Sequence, residues 1–150
     1  MYLMILNTMN LHKLSKFENP TFIIIFATIA SLCSMDILTT KYVISNSIGY
    51  ESNELLSNAL NNVFYLFKYF ATIFVVLGIA LLCDIKHKNL ELVSYATLIS
   101  FYGIVVLNNL LVIFANTDLN LNLSKLFLIF ASLFVFYSFV ITLRYKHKVQ

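Results

Sequence analysis

Four long apolar runs divide the chain, over residues 21–44, 63–83, 92–115 and 124–143, with short polar connectors between them. Each is close to the ~20 residues a helix needs to cross a hydrocarbon core. Alternation of period two does not persist through any run, which argues against a β-barrel. Pro20 stands at the start of the first run, where its missing N–H costs nothing. Glu18 and Asn19 precede it as candidate caps. The pattern predicts an all-α fold, with residues 1–150 forming one integral membrane domain built as a four-helix transmembrane bundle. Lys13 and Lys16 give the beginning the look of a signal peptide. The first run is longer than the ~7–15 residues of a signal's apolar stretch, so an uncleaved signal anchor is expected.

Composition narrows the class further. The chain is 60% hydrophobic and 11% charged, whereas soluble domains are about 45–50% apolar and about 25% charged. A disordered chain, a disulfide scaffold and an ordinary soluble enzyme are thereby excluded. The placement of charge adds orientation. Lys13 and Lys16 precede the first run, Lys86 and Lys88 lie in connector 84–91, and Arg144, Lys146 and Lys148 lie in the tail. Connectors 45–62 and 116–123 hold no Lys or Arg and carry Glu51, Glu54 and Asp118. The positive-inside rule then predicts a cell-membrane protein with the N- and C-termini and the central connector in the cytoplasm. No basic run is long enough to follow a nucleic acid, so no nucleic-acid partner is expected. The expected partner is the lipid bilayer, with a homo-oligomer or a second membrane protein left open.

Cys33 and Cys83 each lie in an apolar run, and neither a CxxC motif nor a Cys/His cluster is present. No metal or other cofactor is expected. The two cysteines differ in depth by roughly 18 Å at helical rise, too far for a disulfide. In the long connector 45–62, Gly49 suits a turn with positive φ. The stretch 52–62 could form a short interfacial helix that dips Leu55, Leu56, Ala59 and Leu60 toward lipid. Asn122-Leu123-Ser124 is a glycosylation sequon, discounted as a modified site because it abuts the fourth run. Tyr42, Tyr50, Tyr65, Tyr95 and Tyr145 fall near run ends and read as an interfacial aromatic belt. Ala27/Ser31, Ala30/Ser34 and Ala96/Ser100 are small pairs that permit close helix approach.

Ionisable residues at membrane depth are costly and mark sites by default. Asp36 in the first run and Lys68 in the second both fall about 10 Å inside the same boundary, because the two helices run in opposite directions. Thr39 and Thr40 share a face with Asp36, and Thr72 shares one with Lys68. Asn108 and Asn109 in the third run and Ser132 in the fourth reach the same level. Asp36 and Lys68 read either as a neutralising pair that holds two helices in register or as the lining of an outward-facing cavity. Asn108 and Asn109 read first as interhelical hydrogen-bonding groups.

The order Asp36-x-x-Thr39-Thr40, then Gly49-x-Glu51-x-Asn53, then Lys68 resembles an uncharacterised family of small archaeal and bacterial membrane proteins. Its members look like a D-x-x-T-T helix, a G-x-E-x-N-P loop and a helix with an embedded lysine. A later helix resembles the stretch around Asn108 and Asn109. The similarity covers roughly residues 22–115, and Glu54 stands where the family has proline. The resemblance implies a shared site built from Asp36, Thr39, Thr40, Glu51, Asn53 and Lys68, with no known activity.

Enzyme templates fit poorly. G-x-S-x-G, H-E-x-x-H and Gly-rich phosphate loops are missing, and His12, His87 and His147 fall at the opposite side from the polar level. No catalytic residue is assigned. The leading expectation is a non-enzymatic membrane protein whose polar outer half binds a partner, ion or small solute. A channel or carrier component is the alternative, oligomeric or not. An intramembrane enzyme using carboxylate acid–base chemistry is the second alternative. A closed Asp36–Lys68 contact without a cavity would count against both.

Overall fold

The structure, a computed structural model, describes residues 17–48, 62–83 and 88–146. It contains four helices: α1 (Pro20–Ser45), α2 (Asn62–Leu82), α3 (Lys88–Ala115) and α4 (Leu123–Lys146). All four are long and apolar enough to cross a membrane, and no strand occurs among the described residues. The fold is an all-α bundle of four membrane-span helices, and the chain is a small multi-pass membrane protein. Helix α3 starts at Lys88, four residues before the third apolar run, so its first turn carries Lys88 and Glu91.

Local chemistry sets the helix ends. Asn19 is the cap of α1, its side chain accepting a hydrogen bond from the Thr21 N–H, and Pro20 takes the first helical position. At the far end of α1, Ser47 adopts a left-handed φ of 54°. This lets the Ile48 N–H reach the Val43 carbonyl and the Ser47 N–H reach Ile44. The positive-φ turn thus occurs at Ser47, while the predicted turn at Gly49 lies outside the described residues. Asn116 ends α3 in the same left-handed conformation, which asparagine tolerates well. Asn122 caps α4, its side chain accepting from the Lys125 N–H, so the sequon asparagine is engaged in ending a loop.

Helix α3 is the central element. It packs most extensively on α1 and next on α4, while α2 packs mainly on α1 and more slightly on α3. The core is small: Ile29 and Cys33 of α1, Val76 of α2, and Tyr95 and Tyr102 of α3. None of the side chains described in α4 is buried. Most large side chains face outward, as Phe74, Phe114 and Phe127 do. In hydrocarbon such exposure carries no penalty, and helix association rests on close packing and interhelical hydrogen bonds.

The packing of Tyr95 and of the Ala27/Ser31 pair differs from the sequence reading. Tyr95 is enclosed in the core against Phe22 instead of facing the lipid interface. Its position seven residues before Tyr102 puts both on the face of α3 that meets α1. Ala27 and Ser31 face outward, so this small pair does not bring two helices of the chain together.

Candidate functional site

The C-terminal ends of α1 and α3 meet the N-terminal ends of α2 and α4 at one side of the bundle, called here the loop end. The polar residues gather about 10 Å below it by helical rise. Asp36 is 1% exposed, and its Oδ2 pairs with Lys68 Nζ at 2.6 Å, joining α1 to α2. Its Oδ1 accepts from Thr40 Oγ1 at 3.3 Å and from Asn109 Nδ2 at 3.3 Å. The Asn109 amide reaches Thr39 and Thr40 as well, each at 3.0 Å.

Donors and acceptors balance. Thr39 gives its hydroxyl proton to the carbonyls of Met35 and Asp36, which leaves oxygen lone pairs for Asn109. Thr40 gives its proton to Asp36 and likewise accepts from Asn109. The Asn109 amide carries two protons and shares them among three oxygens. Asp36 is therefore held by three helices at once. Each oxygen has a donor, as an ionised carboxylate in low dielectric requires.

A second polar layer lies about one turn deeper. Thr72 Oγ1 donates to the Lys68 carbonyl at 2.9 Å and lies 2.6 Å from the Tyr102 hydroxyl. Thr72 has one proton, and with it on that carbonyl Tyr102 is the donor in this contact. Cys33 Sγ makes a long contact of 3.5 Å to the same oxygen. Cys33 of α1, Thr72 of α2 and Tyr102 of α3 thus repeat the three-helix junction with neutral groups.

Asn108 and Asn109 separate. Asn109 points to α1 as an interhelical group. Asn108 turns to the α3–α4 connector, accepting from the Leu119 N–H at 2.9 Å and donating to Asp118 at 3.4 Å. Asp118 in turn accepts from the Asn120 N–H. Ser132 is exposed on α4 and does not join the polar level. The polar link to α4 is a Ser100–Tyr137 hydroxyl contact of 2.6 Å. Glu51 and Asn53 lie outside the described residues, as does the 52–61 part of the expected interfacial helix.

Tyr102 and Tyr137 are the junction residues that reading by polarity and span ends misses, since mid-span tyrosines look like bulk apolar filling. A signal exists for Tyr102. Tyr95, Tyr102 and Asn109 recur every seven residues and so line one face of α3.

Next to the second layer, α1 and α2 leave only a shallow crease between them, with no space for a water molecule. Phe26, Ala30, Cys33, Tyr69, Thr72 and Ile73 line it. No grouping of His, Cys, Asp and Glu that could hold a metal occurs among the described residues. Two lysines outside the connectors modify the charge picture. Lys41 in the last turns of α1 and Lys125 in the first turn of α4 are both exposed at the loop end. The basic excess at the other end is therefore seven to two instead of seven to none. No family model, curated protein or solved structure matches the chain.

Proposed function

We propose that this multi-pass membrane protein works by binding, with no catalytic or conducting step, and that the Asp36–Lys68 junction is the fixed base of its binding site. The observation that carries this reading is the closed 2.6 Å pair whose carboxylate is saturated by Thr40, Asn109 and Lys68. A conducting or acid–base role needs a carboxylate that water or substrate can reach, and Asp36 is 1% exposed. Lys68, with 28% of its side chain exposed, is the half of the pair that meets the surroundings. In this proposal the loop end faces outward from the cell membrane, as the seven-to-two basic bias supports. Kinship with the D-x-x-T-T family, and a contribution from Glu51 and Asn53, belong to the same proposal.

Charge exchange tests it. Asp36→Lys and Lys68→Asp should each lower thermal stability in detergent, because each leaves two like charges at membrane depth. The double exchange restores the pair but sets the ammonium, now on α1, against the donors of Thr40 and Asn109. Recovery of stability should therefore be partial. The double exchange should not complement a strain that lacks the protein. Full complementation by it would reduce the pair to a structural staple and overturn the binding role. Absence of any stability recovery would contradict the pairing itself.

A further inference from the structure

The four helices do not end at one height. Helix α1 runs on for nine residues past Asp36, and α2 begins six residues before Lys68, about 13 Å and 9 Å at helical rise. Helix α3 runs on for six residues past Asn109. Helix α4 is set lower. Its antiparallel contacts with α3, Ser100 with Tyr137 and Phe101 with Phe130, place Lys125 of its first turn level with Asn109. On the α4 side the bundle therefore ends near the height of the ion pair.

The α3–α4 connector descends to the same height. The Leu119 N–H bonds to the Asn108 side chain at 2.9 Å, and Asp118 accepts from that side chain. Asn108 lies seven residues before the end of α3, about 10 Å at helical rise. An asparagine side chain is too short to span that distance, so the connector itself folds back along α3. The Thr117 N–H, which reaches the Leu111 carbonyl, marks the descent. Residues 116–120 are exposed there in neither helix nor strand, with Asn116 and Asn120 left-handed. Irregular backbone does not face hydrocarbon, because its peptide groups would go unpaired; at membrane depth it needs water or protein over it. The exposed ammonium of Lys125 makes the same demand. On α1 and α2 the same height is apolar: Leu38 and Phe67 point outward there.

We infer that the hydrated headgroup layer dips beside α4 to the height of the Asp36–Lys68 junction, so that the connector sits in a polar indentation of one leaflet while hydrocarbon still covers α1 and α2. The indentation brings water to Asn108, the neighbour of the residue that ties α3 to Asp36. The inference holds for either orientation of the chain and does not depend on the binding role proposed above.

Spin labels on the full-length protein in phosphatidylcholine vesicles provide the test. With Cys33 and Cys83 replaced by Ala, single cysteines are placed by Leu119→Cys, Lys125→Cys, Leu38→Cys and Phe67→Cys. All four positions are exposed, and a melting curve for each variant confirms that the fold is kept. Water-soluble nickel chelate and lipid-soluble oxygen then report what surrounds each label. The nickel-to-oxygen accessibility ratio should be about fivefold or more higher at 119 and 125 than at 38 and 67. Oxygen-rich labels at 119 and 125 would put hydrocarbon over the connector and overturn the inference. Exclusion of both reagents there would mean that protein covers it, such as a second copy of the chain, and would also overturn it. Nickel-rich labels at all four positions would make the boundary uniformly deep and refute a local indentation.

Discussion

At the scale of single residues, Asn108 and Asn109 show how one step along a helix separates two roles. A turn of about 100° per residue carries Asn109 to α1 and Asn108 to the connector. Asn109 supplies the hydrogen bonds that bring α3 to the Asp36 junction. Interhelical hydrogen bonds in membranes are worth about 0.6–2 kcal/mol. Asn109→Ala should therefore destabilise the protein by roughly 1–2 kcal/mol on that scale, read by steric trapping in bicelles. Asn108→Ala should cost clearly less and instead raise protease access to connector 116–122. Equal costs for the two would contradict this division. Lys68→Met should exceed both, at about 3–5 kcal/mol, because it strands a buried carboxylate. Replacing Asp36 and Lys68 together by Leu and Met should then be milder than Lys68→Met alone.

Among the elements, α4 stands apart. It packs principally on α3, through the Ser100–Tyr137 contact and an edge-on stacking of Phe101 with Phe130. The other three helices share two polar junctions. Forced unfolding from the C-terminus should release α4 as a separate early step, with α1–α3 yielding together afterwards at higher force. Tyr137→Phe should lower the first step and leave the second unchanged, whereas Tyr102→Phe should do the reverse. A single cooperative step would contradict the hierarchy. The four elements themselves were legible in the sequence because hydrophobic length alone marks a membrane helix. The packing order was not, since lipid-facing and helix-facing positions are equally apolar. Even the weak amphipathic signal of a soluble helix is lost. The junction was half legible: Asp36 and Lys68 stand out by cost, Thr39, Thr40 and Thr72 by helical spacing. Tyr102 and Tyr137 pass as apolar until a partner hydroxyl is found. Ser132 shows the converse, a polar residue at the right level on the wrong face.

For the whole molecule, the proposed orientation rests on how charge is shared between the two ends. Lys41 and Lys125 weaken the bias without reversing it. With Cys33 and Cys83 replaced by Ala, Thr117→Cys should react with an impermeant maleimide in intact cells, and Thr21→Cys only after lysis. The reverse pattern would invert the proposed topology. The four rods are also unequal. Helix α2 has 21 residues and α3 has 28, about 31 and 42 Å at helical rise, against a hydrocarbon core of about 30 Å. A bilayer that matches α2 leaves surplus turns on α1 and α3, and those turns carry Lys41, Tyr42, Lys88 and Glu91. The surplus is the part that tolerates headgroups, so α1 and α3 can slide or tilt to suit a thicker membrane. Helix α2 has no such reserve, and the Asp36–Lys68 bond ties its vertical position to α1. Hydrophobic mismatch therefore falls on the contacts that hold α2 to its neighbours, and a membrane thicker than α2 should load the Asp36–Lys68 pair and the Thr72–Tyr102 contact together.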